Sequence, residues 1–373
     1  MSSKRDGLLT AANNLLQDRV MSGKLGKVGI FGVPFDPADS PERLNLKLAY
    51  ISQSSNGAPL GESVYDPYDV IQADLSQRFD LSDENIWLGK MPVDSWLTPR
   101  PKVSDLPMLT LHHFTSFLRG NGCWDYTLRV AEFVEEQVFP RKPVMIGVDH
   151  SLTGGVLLAL AKEYSNLNVI ILDAHFDVMR LNAAAISEGE SENQNGGQDR
   201  PAFYECGNFL SYLLEKEIIH PENLWVLGVG EEILRKGEQQ CNDHLSSNNI
   251  REVKRWIDKG VHALSKKDVT SEAISIDLNG PTYVSIDMDV GSLSSLFSAR
   301  FMNCYGLSFE EFLHLLSGVA MSIREANVPL LGLDVMEIDI HFLEALEANE
   351  EMSFHDRTKS IVREIFNCFL LND

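Results

Sequence analysis

Val169-Ile170-Ile171-Leu172-Asp173-Ala174-His175-Phe176-Asp177 sets four apolar residues directly ahead of three ionisable ones at alternate positions. An unbroken apolar run of this length reads as a strand buried on both faces, the kind found in parallel sheets covered by helices. Side chains alternate along an extended chain, so Asp173, His175 and Asp177 are expected to point one way if the extended geometry continues. They emerge at the carboxyl end of the strand, where open α/β sheets place their ligands. Two carboxylates and an imidazole converging there are costly unless a positive charge compensates them, and a divalent metal supplies one.

Similar runs lie at residues 28–33, 144–147, 224–229, 283–286 and 330–335. Helical patterns fall between them at 127–138, 155–164, 250–258 and 309–326. This alternation predicts a single α/β domain over residues 1–373, a three-layer αβα sandwich with a mainly parallel central sheet. Residues 38–83, rich in Ser, Asp, Pro and Gly, read as long loops. Residues 181–205, with the polar, acidic stretch from Ser187 to Arg200, read as a flexible acidic loop. Residues 1–25 carry Leu8, Leu9, Ala12, Leu15 and Leu16 at helical spacing and are expected to form an N-terminal helical extension.

The net charge of −22 on 373 residues argues against nucleic acid or an anionic membrane as partner. It reads first as a solvated acidic surface, and it suits a cationic substrate only where the site itself supports one. Five widely spaced cysteines without a C-x-x-C pair exclude a disulfide framework or zinc ribbon. With no apolar leader and no run near the roughly 18 residues of a membrane span, the expectation is a cytoplasmic protein.

Two further strand ends repeat the chemistry. Asp287-Met288-Asp289 follows the run at 283–286, and Gly147-Val148-Asp149-His150-Ser151 follows the run at 144–147. Taken singly, a D-x-D reads equally well as a solvated loop, and a lone histidine after a strand is more often structural. Three such elements in one chain favour a metal site.

The segments at 147–151, 173–177 and 285–289 resemble, in order and spacing, the three metal motifs of arginases and agmatinases, the ureohydrolases. Gly332-Leu333-Asp334-Val335-Met336-Glu337 resembles a late strand of that family, and residues 28–35 its first strand. The resemblance implies two metals. One is held by His150, Asp173, Asp177 and Asp287, the other by Asp173, His175, Asp287 and Asp289. Manganese suits such mixed ligands, and nickel, cobalt or iron also fit. In the family a water activated between the metals attacks a guanidinium carbon. The resemblance therefore implies catalytic roles for Asp177 and Glu337, with Glu337 also holding the cationic guanidino substrate.

Where arginases for free arginine carry S-G-N-L-H-G, this chain has Cys206-Gly207-Asn208-Phe209-Leu210-Ser211. The serine has become Cys206 and the proton-shuttle histidine Leu210, while Asn208 remains as a substrate contact. The altered loop looks more like that of atypical arginases that convert arginine within peptides to ornithine and urea. The expected substrate is accordingly an arginine-containing peptide, with a small guanidino compound such as free arginine or agmatine as the alternative. His112, His113 and His341 are candidate acids in place of the missing histidine. A deacetylase-like amidohydrolase and a non-catalytic metal-keeping binder are the remaining readings, and the family's symmetric oligomers suggest a homo-oligomer.

Overall fold

Six of the strands in the computed structural model grow from the apolar runs: β1 (Val28–Val33), β3 (Lys142–Gly147), β4 (Asn168–Leu172), β5 (Leu224–Val229), β7 (Thr282–Asp287) and β8 (Leu330–Met336). Two short strands complete the sheet, β2 (Trp87–Lys90) and β6 (His262–Ser265). The structure describes residues 28–55, 66–78, 86–178, 203–234, 247–271, 274–302, 306–347 and 356–371. The N-terminal extension expected at 1–25, and the acidic loop expected at 181–205 as far as residue 202, lie outside the described residues.

The eight strands form one sheet in the order β2-β1-β3-β8-β7-β4-β5-β6, with every pairing parallel. The sheet is thus wholly rather than mainly parallel. Neither β2 nor β6 has an apolar run behind it, because both lie at the edges and are largely half-exposed.

The longer helices are α1 (Pro41–Ser55), α2 (Pro67–Arg78), α3 (Leu111–Arg119), α4 (Gly122–Phe133), α5 (Thr153–Glu163), α6 (Phe209–Glu215), α7 (Ser247–Asp258), α8 (Phe309–Ala326), α9 (Ile340–Glu347) and α10 (Thr358–Phe366). Helices α1 and α2 correct the reading of 38–83 as long loops. Pro41 and Pro67 occupy first helical turns, where a missing N–H costs nothing. Ser40 Oγ accepts from Arg43 N–H at 3.3 Å, and Asp66 Oδ1 from Tyr68 N–H at 2.9 Å. The residues that looked like loop formers are helix starts.

The unalternating runs have a simple cause. On β4, Val169 and Ile171 face a core shared with Phe31, Met145 and Val226, whereas Ile170 and Leu172 face a second core with Val144, Val284 and Leu333. Helices α4 and α5 cover the first core, and α8 and α10 the second. Each fully buried aliphatic side chain contributes roughly 1.5–3 kcal/mol. Between β3 and β4 the chain crosses over β8 and β7. The carboxyl ends of β3, β8, β7 and β4 therefore stand side by side, and the ionisable motifs sit on three of them.

Candidate metal centre

The three motifs share a turn. Asp149 Oδ1 accepts from Ser151 N–H at 3.1 Å, Asp173 Oδ1 from His175 N–H at 2.6 Å, and Asp287 Oδ1 from Asp289 N–H at 2.8 Å. Each aspartate at or just beyond a strand's end thus bends the chain through its own side chain. Asp173, His175 and Asp177 do not converge by strand alternation as expected. The strand stops at Leu172 and the turn brings them together.

Asp177 and Glu337 adopt the left-handed region, at φ 44° and 60°. For a residue with a side chain this costs on the order of 1–3 kcal/mol. Backbone contacts hold both in place: Leu210 N–H donates to Asp177 O at 3.2 Å, Glu337 N–H to Val148 O at 3.1 Å, and Arg300 N–H to Glu337 O at 2.8 Å.

His150 is buried, and its Nδ1 lies 3.4 Å from Asp173 Oδ2, 3.1 Å from Asp177 Oδ2 and 3.0 Å from Asp287 Oδ2. His175 Nδ1 lies 3.4 Å from Asp173 Oδ1 and 3.0 Å from Asp289 Oδ2. His150, Asp173 and Asp177 form one group of donor atoms within 4.8 Å of one another; Asp173, His175 and Asp289 form a second, so Asp173 belongs to both. Asp287 stands outside these two groups and joins the first through its contact with His150.

These groups crowd negative charge. Burial, then Asp173, raises Asp177 to about 7; burial, then Asp289 and Asp173, raises Asp287 to about 8. Asp289 is raised to about 6 by burial, against the pull of His175. Burial works against the charged form of His150, but Asp173, Asp177 and Asp287 outweigh it and raise the ring well above its ordinary value.

A divalent cation fits this donor set. His150 Nδ1 and Asp173 Oδ2 are buried with no hydrogen-bond partner among the described residues. The other ring nitrogen shows why. His150 Nε2 lies 2.9 Å from Ser285 Oγ, and Ser285 Oγ donates to Asp334 Oδ1 at 2.6 Å. The serine proton is committed, so Nε2 keeps a hydrogen and Nδ1 is the nitrogen that faces the carboxylates, its lone pair available to a cation that displaces the Nδ1 proton. Asp334 is fixed in turn by Thr153 Oγ1 and Tyr283 OH, each at 2.8 Å.

Ser285, Thr153 and Asp334 carry no role in the sequence reading. The usable signal was Asp334 itself, a carboxylate inside an otherwise apolar strand, which requires buried partners.

Glu337 is buried beside this cluster. Its Oε1 accepts from His150 N–H at 2.9 Å and lies 3.7 Å from Arg300 Nη1, while Oε2 has no hydrogen-bond partner among the described residues.

The 203–211 segment closes over the ring of His150, with the Phe209 ring centroid 4.9 Å away. Asn208 Oδ1 accepts from Glu205 N–H at 3.0 Å and its Nδ2 donates to Phe203 O at 3.4 Å, so its carboxamide holds its own loop. Leu210 is fully buried. Of the candidate acids, His112 and His113 lie at the start of α3, the first exposed and the second half-buried with Nδ1 2.9 Å from Thr110 Oγ1. His341 donates its backbone N–H to Asp339 Oδ1 at 2.8 Å. Burial lowers the His341 ring below its ordinary value, with Asp339, Asp36, Arg43 and Lys47 as its charged neighbours.

A wholly parallel sheet whose adjoining strand ends gather four aspartates and two histidines defines an α/β protein suited to hold divalent cations. The arginase family profile matches residues 27–345, and the chain belongs to that family. It is 29% identical over 188 residues to an arginase of Staphylococcus aureus, a match that takes in 47% of this chain and 59% of the relative, or about three fifths of its length. Against an arginase of Bacillus caldovelox it is 26% identical over 274 residues, 70% of this chain and 75% of the relative. The native structure of the B. caldovelox arginase superposes with a TM-score of 0.53 at 18% identity, over 93% of this chain and 100% of that one. Formimidoylglutamase from Bacillus subtilis superposes at 0.52 and 16% identity, over 93% and 87%. Formiminoglutamase from Trypanosoma cruzi, solved with Mn2+, superposes at 0.52 and 15%, over 93% of each chain. At these identities the structures speak for the fold alone. Among the described residues, no helix is long and apolar enough to cross a membrane.

Proposed function

We propose that this chain is a hydrolase of a guanidino group, converting arginine side chains within peptides to ornithine with release of urea. In this reading His150, Asp173, Asp177 and Asp287 hold one divalent cation, and Asp173, His175, Asp287 and Asp289 the other, with manganese the metal. When bound there, such cations would supply Lewis acidity toward a water and would offset the crowded carboxylates. The reaction forms a C–O bond from water at the guanidinium carbon and breaks the C–N bond to the side chain, whose nitrogen leaves as an amine after taking up a proton.

The observation that carries the proposal is Glu337. A buried carboxylate with one oxygen held by a backbone N–H and the other unpaired, directly beside His150, is an acceptor for a planar cation's N–H groups. Asp177 is 6% exposed, more than Asp173, Asp287 or Asp289, and is the carboxylate assigned to carry a proton from water to the leaving nitrogen. Phe209 shields the His150 ring from bulk water. The peptide substrate is favoured by the 203–211 segment, where Leu210 is buried and the Asn208 amide is spent on its own loop. The relatives named arginase favour free arginine as the second reading. A cytoplasmic setting and a homo-oligomeric assembly accompany the proposal.

Mass spectrometry of the manganese-loaded full chain with N-acetyl-arginine amide, free arginine and agmatine separates these readings. Conversion of the blocked arginine to blocked ornithine with stoichiometric urea is the expected result. Turnover of free arginine or agmatine alone moves the substrate to small molecules, and the absence of urea from every compound defeats the hydrolase reading.

A further inference from the structure

Arg300 is a fully buried cation in the stretch between β7 and α8, and the chemistry proposed above makes no use of it. Its guanidinium is held on several sides. Nη1 donates to Asp149 Oδ2 at 2.9 Å, and Nη2 to Pro37 O at 2.7 Å and to Asp39 Oδ2 at 2.9 Å. Nε lies 3.5 Å from Asp36 Oδ1. Its backbone N–H is bound to Glu337 O at 2.8 Å. Two separate stretches, the segment after β1 and the aspartate directly before His150, are thus tied to one planar group, while the backbone of the same residue holds Glu337.

These ties fix the charge of Arg300 on one side of Glu337. Nη1 stands 3.7 Å from Oε1, and that same oxygen accepts the His150 N–H at 2.9 Å. Oε2 is buried and without a hydrogen-bond partner among the described residues. A carboxylate that grips a guanidinium side-on uses both oxygens. Here Oε1 is taken on one side by an N–H and faced on the other by a cation that repels a second cation. Only Oε2 remains to meet an incoming donor.

We propose that Arg300 is a positioning residue that selects Oε2 of Glu337 as the single oxygen presented to the substrate's guanidinium. The proposal rests on the reading of Glu337 as the acceptor for that group. Arg300 touches neither substrate nor metal ligand side chains in this scheme; it acts through the orientation of Glu337. Lysine cannot replace it, because a point charge on a flexible stem has no planar fork to reach Asp149, Asp39 and Pro37 together.

The test is a double-mutant cycle on the metal-loaded full chain, with guanidinium ion as the probe and calorimetry as the readout, alongside metal content. Glu337→Gln is expected to weaken guanidinium binding ~10–100-fold, the range for losing a charge-assisted hydrogen bond. Arg300→Met removes the cation that faces Oε1 and is expected to tighten guanidinium binding ~10-fold, because the repulsion is gone and both oxygens open to a side-on grip. The double variant is expected to bind as weakly as Glu337→Gln alone, with both metals retained throughout. Wild-type or weaker affinity in Arg300→Met, or the same gain in the Glu337→Gln background, overturns the proposal while leaving the role of Glu337 standing. Wild-type affinity in Glu337→Gln removes the reading of Glu337 and this proposal with it. Should Arg300→Met fail to fold, Arg300→Lys decides the matter, because it keeps a charge without the fork that holds it against Oε1. A lowered KM for the guanidino substrate with kcat changed far less is expected of it, and an unchanged KM overturns the proposal.

Discussion

The two histidines of the candidate metal centre stand in similar sequence settings, each just past a buried strand, yet their surroundings differ. The His150 side chain has no exposed surface and lies against three aspartates, whereas 39% of the His175 side chain is exposed and it lies against two. His150 is also steered from behind by Ser285 and Asp334. The comparison separates an inner, preorganised half of the cluster from an outer half whose ring reaches solvent while its carboxylates stay buried.

The most damaging change is one that removes the boundary itself. Asp173 contributes to both groups, so Asp173→Ala is expected to lose both ions and reduce urea formation below detection. Metal analysis beside a urea assay checks it; a variant that retains one ion in full occupancy would show that the halves do not share this carboxylate.

Next in size is the contrast between the rings. His150→Ala strips the counter-charge from three buried carboxylates, which costs about 3–5 kcal/mol when a buried pair is broken. His175→Ala removes a ring that is itself 39% exposed, so water can take its place beside Asp173 and Asp289, and the change is expected to cost less while still losing one ion. Urea unfolding of the two metal-free variants reads the difference directly. Equal losses would collapse the distinction between inner and outer halves.

The sequence carried the cluster well and its supports poorly, for a physical reason. Asp173, His175, Asp177, Asp287, Asp289 and His150 were legible because ionisable residues at the ends of apolar runs are conspicuous, and a parallel sheet brings such ends together. What brings them to one point was not legible. Extended geometry was assumed through Asp177, yet each motif turns on an aspartate that accepts the N–H two residues ahead. Arg300 was invisible because its partners Asp39 and Asp149 lie 261 and 151 residues away in sequence, and nothing local marks a buried arginine. The edge strands β2 and β6 lack the two-sided burial that makes central strands readable. Helices α1 and α2 were hidden by their own caps, since Ser, Asp and Pro serve loops and helix starts alike.

Asp334→Asn tests the steering of the inner half alone. It leaves every proposed ligand in place but weakens the acceptor that commits the Ser285 proton, and with it the choice of nitrogen at which His150 carries its hydrogen. Loss of such a supporting contact lowers metal affinity ~10–100-fold. The loss is expected for one ion of the two, measured by competition with a chelator. Equal weakening of both ions would mean that Asp334 supports the fold and not the orientation of the ring.

The smallest effect is a separation in pH. Asp177 is raised to about 7 and Asp289 to about 6, both above the ordinary 3.8 of an aspartate. A folded-state value above the unfolded one means that the metal-free protein binds extra protons across the interval. The associated stability is full below about pH 4 and is lost as pH rises through 6 and 7. A cation must displace those protons, so metal affinity moves the opposite way and rises with pH over the same range. Asp177 belongs to the His150 group and Asp289 to the His175 group, while Asp287, raised to about 8, serves both, so on acidification both ions are expected to lose affinity and the inner one first. Chelator competition between pH 5.5 and 8 would reveal it as two displaced curves, and superimposed curves would mean that the six side chains titrate as one set, with no inner and outer half to distinguish.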